Sequence, residues 1–151
     1  MRETEPPRIL VIDDDETIRR SLSTVLQEEG YLVDTAENGQ VAITKSETAF
    51  YNLALVDIRL PDMDGMELLA RMKQTTPKMV KIIITGYPSL ENAVEAVNRG
   101  ADGYIVKPVK MAELLTLINE HLKRQQEERK YSEEKVAEFI ITRANELESR
   151  S

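Results

Sequence analysis

Residues 53–65 read Leu53-Ala54-Leu55-Val56-Asp57-Ile58-Arg59-Leu60-Pro61-Asp62-Met63-Asp64-Gly65. Four apolar residues run into a carboxylate, and a proline, two further acids and a glycine follow. A short apolar run bounded by turn residues predicts a buried strand. Asp57 then stands at the strand's carboxyl end, where open α/β sheets keep their chemistry. A carboxylate buried there without a partner is costly, so the rest of the chain is read for partners.

Working outward, Ile9-Leu10-Val11-Ile12 is a second buried strand, ending on Asp13-Asp14-Asp15-Glu16. Ile18, Leu22, Val25 and Leu26 recur at helical spacing, and Gly30 follows as a C-terminal cap. Tyr31 to Ala36 predicts a strand, Asn38-Gly39 a turn or helix start, and Val41 to Ala49 a helix. Beyond the Asp57 strand, Met66, Leu68, Leu69 and Met72 predict a helix that Pro77 breaks. Val80 to Ile84 predicts an apolar strand ending in Thr85-Gly86. Ser89 caps a helix carrying Leu90, Ala93, Val94 and Val97, closed by Gly100. Tyr104-Ile105-Val106 is a last strand, ending in Lys107-Pro108, and Met111, Leu114, Leu115, Ile118 and Leu122 predict a last helix. Five strands alternating with five helices imply right-handed crossovers and a doubly wound parallel α/β sheet.

The carboxyl ends of such a sheet share one edge. That edge would collect Asp13 and Asp14, Asp57, Thr85 and Lys107. Three converging carboxylates raise one another's pKa values, and a hard divalent cation such as Mg²⁺ relieves the repulsion. A lysine and a hydroxyl beside them suit a phosphoryl group. The chemistry indicated is phosphoryl transfer onto a carboxylate. Asp15 and Asp62 read more simply as helix caps or turn residues. Taken singly, Asp14 also reads as a helix cap or turn residue, Thr85 as an ordinary strand-end hydroxyl and Lys107 as a solvated loop lysine. Their joint occurrence at four of the five strand ends is what favours the site.

Composition narrows the alternatives. The 151 residues contain no cysteine and a single histidine, His121, which excludes disulfides, a cysteine nucleophile and a multi-histidine zinc site. A formal net charge of −7 argues against a nucleic-acid surface in this segment. No apolar run approaches the roughly 18–20 residues of a membrane span. Residues 1–7 lack the apolar core of a signal peptide, so the default location is cytoplasmic. From Leu122 onward the chain carries seven basic and seven acidic side chains. A second apolar stripe, Val136, Phe139, Ile140, Ala144 and Leu147, follows a wholly polar run. The tail is expected to be an extended helix that meets a partner, or a linker. Residues 123–151 are too short for a DNA-binding, enzymatic or kinase domain.

At Ile9-Leu10-Val11-Ile12-Asp13-Asp14-Asp15, Leu55-Val56-Asp57, Leu60-Pro61-Asp62-Met63-Asp64-Gly65, Ile82-Ile83-Ile84-Thr85-Gly86 and Gly100-Ala101-Asp102-Gly103-Tyr104-Ile105-Val106-Lys107-Pro108, the chain resembles the receiver domain of two-component response regulators. The resemblance covers residues 8–122 and leaves 123–151 as a charged helical tail or linker to an output element. It implies a flavodoxin-like sheet of order 2-1-3-4-5. It implies Asp57 as phosphoacceptor from the phosphohistidine of a sensor histidine kinase. Asp13, Asp14, Asp57 and the Arg59 carbonyl would hold Mg²⁺ or Mn²⁺. Thr85 and Lys107 would receive the phosphoryl oxygens, and Tyr104 would turn inward as Thr85 moves. Arg59 and Tyr87 would tune the lifetime, and Lys107-Pro108 would be a cis peptide. The helix from Ser89, the Tyr104 strand and the last helix would form the output surface, through which, with the tail, a homodimer is expected. The protein would then be a phosphoacceptor with slow self-dephosphorylation and not a conventional enzyme.

Other readings are weaker. Asp13-Asp14-Asp15-Glu16-Thr17 fits the nucleophile motif of haloacid-dehalogenase-like phosphatases, with Asp13 attacking and Asp15 as acid/base, but Asp57 would then have no role. A pseudo-receiver that binds partners without phosphate would need no intact catalytic set. A flavodoxin-like cofactor binder would need glycines and hydroxyls where this first loop has acids.

Overall fold

In the computed structural model, which describes residues 5–75 and 77–150, the chain alternates strand and helix from β1 to α5. The elements are β1 (Arg8–Ile12), α1 (Glu16–Glu28), β2 (Leu32–Ala36), α2 (Gly39–Thr48), β3 (Leu53–Asp57), α3 (Gly65–Arg71), β4 (Val80–Thr85), α4 (Leu90–Asn98), β5 (Gly103–Val106) and α5 (Met111–Arg150). The five strands form one parallel sheet in the order β2-β1-β3-β4-β5. This is the flavodoxin-like arrangement expected from the sequence.

The central strands β1, β3 and β4 are buried on both faces, which is why they read as continuous apolar runs and not as alternating ones. Leu10, Ile12, Ala54, Val56 and Ile83 point to the face covered by α2, α3 and α4. Ile9, Val11, Leu53, Leu55, Ile82 and Ile84 point to the other face and meet Leu22 and Leu26 of α1 and Leu114, Ile118 and Leu122 of α5. Helix ends follow local chemistry. Asp15, Asn38, Asp64 and Ser89 accept backbone N–H groups at the starts of α1, α2, α3 and α4. Gly30 and Gly100, just past α1 and α4, have φ of 94° and 96°, the left-handed conformation that glycine adopts at lowest cost.

Three features differ from the sequence reading. Helix α3 ends at Arg71, well before Pro77, because Met72 turns extended and buries its side chain. Lys81 sits in the middle of the apolar strand β4 yet is buried, and its Nζ donates to the Leu69 carbonyl near the end of α3 at 3.1 Å. A cation there satisfies an orphan carbonyl and the helix dipole, although burial pulls the Lys81 pKa down. On α4, Leu90, Val94 and Val97 face outward, 81%, 51% and 70% exposed, and Ala96 is the buried residue. The apolar stripe of α4 is therefore surface and not core.

Helix α5 runs unbroken through the polar stretch. Its last buried side chain among the described residues is Gln125, whose Nε2 donates to the carbonyls of Asn52 (2.9 Å) and Lys78 (2.8 Å). Asn52 Nδ2 donates back to Gln125 Oε1 at 3.1 Å, and the Arg8 N–H donates to Asn52 Oδ1 at 2.9 Å. One amide thus ties α5 to the starts of β1, β3 and β4. Gln125→Ala strands several buried groups at once, and a loss of about 2–3 kcal/mol is expected in urea unfolding. Hydrogen exchange should rise in the adjoining turns of α5.

Candidate functional site

Register carries the acids to one point. Ile12 pairs with Val56, so Asp13, the next residue, stands beside Asp57. Asp57 pairs with Ile84 and Thr85 with Val106, which brings Thr85 and Lys107 to the same edge. The Lys107 N–H donates to the Thr85 carbonyl at 2.8 Å, and the Lys107-Pro108 peptide is cis, as expected.

Asp13 and Asp57 are buried and Asp14 is exposed. One carboxylate oxygen from each lies within 4.8 Å of the others. Lys107 Nζ stands 3.4 Å from Asp57 Oδ2 and 3.6 Å from Asp13 Oδ2. Burial pushes the Asp13 carboxyl up to about 6; the Asp57 carboxylate adds to the rise, while the Asp15 N–H and Lys107 oppose it. This is an acidic pocket short of positive charge, and hard cations favour such oxygen donors. The donor set therefore fits a divalent ion.

Thr85 is fully buried, and its Oγ1 accepts the Tyr87 N–H at 3.0 Å. Its own hydroxyl proton remains available to a second acceptor. The Arg59 N–H donates to Asp57 Oδ1 at 3.3 Å. The Arg59 guanidinium lies 3.6 Å from the centroid of the Tyr87 ring, so the two side chains stack beside the site. Tyr104 is partly buried against the α2–α4 face, and its enclosed hydroxyl meets no hydrogen-bond partner among the described residues.

Several acids do other work. Asp15 caps α1 through Thr17 and Ile18, which leaves it no acid/base role beside Asp13. The haloacid-dehalogenase-like reading is thereby disfavoured. Asp64 caps α3. Asp62 also caps, but across 23 residues: it accepts the Gly39 and Gln40 N–H groups at 2.8 and 2.9 Å, and these bonds hold its carboxyl below the usual range. Asp62 therefore serves the start of α2 and not the rim of the acidic pocket.

Gly65 packs under the end of β3, where a Cβ would meet Asp57 O at 2.5 Å and Ile58 Cα at 2.8 Å. Neither backbone atom can yield locally. Gly65→Ala is expected to cost about 1–3 kcal/mol and to displace the Asp57 backbone, read as a lower melting midpoint. Sequence reasoning missed Arg19, whose guanidinium donates to the Asp13 carbonyl at 2.8 Å. Its position one helical turn past the Asp15 cap was the available signal.

A family model described as the response regulator receiver domain matches residues 9–119. The chain is 36% identical over 118 residues to the regulatory protein AtoC of Escherichia coli (strain K12), covering 78% of this chain and 26% of that protein. It superposes on a CheY-like response regulator receiver domain protein from Methanospirillum hungatei JF-1 with a TM-score of 0.78 at 48% identity, over 82% of this chain and 98% of that one. It also superposes on a Burkholderia pseudomallei response regulator protein, solved with a phosphorylated aspartic acid, a calcium ion and citrate, with a TM-score of 0.69 at 30% identity, over 82% and 72% of the two chains. The chain belongs to the response regulator receiver domain family. Receiver domains of this family are the signal-receiving modules of two-component response regulators. This chain spans 26–63% of the length of curated relatives such as AtoC, ResD and SilR. Among the described residues no helix is long and apolar enough to cross a membrane.

Proposed function

We propose that the chain receives a phosphoryl group on Asp57 from the phosphohistidine of a sensor histidine kinase, in a divalent-ion-dependent step. The observation that carries this is the approach of Lys107 Nζ to both Asp57 and Asp13 beside a third carboxylate. Asp13, Asp14, Asp57 and the Arg59 main-chain carbonyl would hold Mg²⁺ or Mn²⁺. The ion, when bound, supplies the charge neutralisation that lets an anionic phosphoryl group approach carboxylates.

A carboxylate oxygen of Asp57 attacks phosphorus, the P–N bond to the kinase imidazole breaks, and the leaving imidazole takes up a proton. The β3 strand holds Asp57 rigidly, and the Arg59 N–H orients its carboxylate. Lys107 shifts from the carboxylates to a phosphoryl oxygen, and the Thr85 hydroxyl donates to another. Drawing Thr85 toward the phosphoryl group loads the Tyr87 N–H bond and frees space for Tyr104 to settle inward. That is a two-state element biased by phosphate contacts. The same site takes phosphoryl groups from small donors and loses them slowly to water.

The output surface is α4, β5 and α5, where Leu90, Val94, Val97 and Val106 are exposed. A homodimer through this surface and the C-terminal helix, in the cytoplasm, completes the reading, with residues 123–151 as a tail or linker. No nucleic-acid contact is assigned to this segment. Incubation with acetyl phosphate should add one phosphoryl group in Mg²⁺ and none in a chelator; uptake without divalent ion would contradict the scheme.

The Arg59–Tyr87 stack screens the path of a water attacking the acyl phosphate. Tyr87→Ala should speed loss of the phosphoryl group severalfold. An unchanged decay rate would remove the screening role.

A further inference from the structure

The chain between β3 and α3 closes on itself. The Gly65 N–H donates to the Ile58 carbonyl at 2.8 Å, and Arg59 pairs with Asp64 as an isolated antiparallel bridge. Residues 60–63 form the tip of this short closed loop, and the tip reaches α2. Asp62 Oδ1 accepts the Gly39 N–H and Asp62 Oδ2 the Gln40 N–H. Met63 packs beside them on Gly39, where a Cβ would overlap the Met63 side chain. The first N–H groups of a helix have no partner inside it, and an anion there is also favoured by the helix dipole. The ordinary cap of α2 is already in place, since Asn38 Oδ1 accepts the Val41 N–H at 2.8 Å. The two Asp62 bonds therefore do more than begin a helix: they fasten the loop after Asp57 to it.

The same β2–α2 turn is fastened to Asp13 at its other end. The Asp13 N–H donates to the Ala36 carbonyl at 3.1 Å, and Arg19 holds the Asp13 carbonyl at 2.8 Å. Only Glu37 and Asn38 separate Ala36 from Gly39. The turn is thus a strap between the Asp13 backbone and the tip of the 58–64 loop. In the function proposed above, these are the two sides of the divalent site. Asp13 and Asp57 are placed by the ends of β1 and β3. Arg59 lies beyond its strand, so the place of its main-chain carbonyl depends on how the loop is anchored.

We infer that Asp62 is a positioning residue for the divalent ion: by fastening the loop tip to the start of α2, it sets where the Arg59 carbonyl stands relative to the Asp13 and Asp14 carboxylates. This rests on the acceptor reading and adds to it a residue that does not itself line the acidic pocket.

Mn²⁺ binding to the full chain, read from the electron paramagnetic resonance of the free ion, measures the site without phosphoryl transfer. Asp62→Ala should weaken Mn²⁺ binding by up to about tenfold, the lower end of what loss of a supporting partner costs a metal site. Asp62→Asn loses the charge and keeps an acceptor oxygen, so it should retain most of the parent's affinity. Gln125→Ala lowers stability from the opposite end of the sheet and should bind Mn²⁺ as the parent does. With acetyl phosphate, the Mg²⁺ concentration for half-maximal uptake should rise in Asp62→Ala by the same factor, with the rate at saturating Mg²⁺ close to the parent's. Parent affinity in Asp62→Ala would reduce Asp62 to a helix cap and overturn the inference. So would equal weakening in Asp62→Asn, which would leave charge alone as the cause, or equal weakening in Gln125→Ala, which would leave stability as the cause. A parent chain that binds no Mn²⁺ would overturn the acceptor reading, and this inference with it.

Discussion

Asp57→Asn is expected to abolish acid-labile phosphorylation, by acetyl phosphate and by a phosphorylated kinase alike. An amide oxygen is a poor nucleophile and forms no stable phosphoryl adduct, so uptake should fall below detection. The fold should survive. Asp57 stands at a strand end 3.4 Å from Lys107 Nζ, and asparagine keeps its shape while removing one of the crowded charges. Lys107 retains Asp13 as a partner at 3.6 Å, so no buried cation is stranded. The measurement is intact mass after incubation with donor and Mg²⁺, with circular dichroism as the check on folding. Residual phosphorylation at the parent level would mean that another residue carries the group.

Asp13→Asn has the second largest expected effect, and it divides two properties that usually travel together. Burial raises the Asp13 carboxyl from 3.8 to about 6 in the folded chain. The folded state therefore holds a proton that the unfolded state releases between these values. Stability of the metal-free protein should fall as pH rises from about 4 to about 6, and the full penalty should persist above that. A shift of this size corresponds to an upper limit of about 3 kcal/mol. Asparagine removes the penalty, so the variant should melt higher than the parent at pH 7.5 without divalent ion, with the difference shrinking toward pH 4. Mg²⁺ should raise the midpoint of the parent at pH 7.5 through preferential binding to the folded state, and should barely move that of the variant. Phosphoryl uptake should fall steeply. Thermal unfolding at both pH values, with and without Mg²⁺, checks all of these together.

The parallel, doubly wound sheet and the convergence on Asp57 were legible because they depend on local signals: apolar runs, the residue after each run, and alternation with helices; the strand order came from the family resemblance. Register then does the rest, since parallel strands of similar length bring their ends to one edge. What stayed hidden depends on partners distant in the chain. Asp62 reads as a helix cap or turn residue, but the helix its carboxylate caps starts 23 residues earlier. Lys81 passes unnoticed inside the apolar run of β4, because its partner, the Leu69 carbonyl, is exposed only where α3 stops. The stripe Leu90, Val94, Val97 has core periodicity, but the smaller Ala96 lets α4 approach the sheet on its other side. Periodicity reports an apolar face and not what covers it. Gln125 sits in a run that reads as wholly polar, and only the carbonyls at the starts of β3 and β4 explain its burial. The stack of Arg59 on Tyr87 was half legible: both residues were singled out by position, but their contact was not.

The central claim is that this edge of the sheet delivers a phosphoryl group to Asp57 and to no other acid. Peptide mapping of the phosphorylated chain, after the acyl phosphate is reduced to a stable alcohol, tests it most directly. The modified side chain should be that of Asp57, in the peptide spanning Leu53 to Arg59. Modification at Asp13, with Asp57 unchanged, would contradict it.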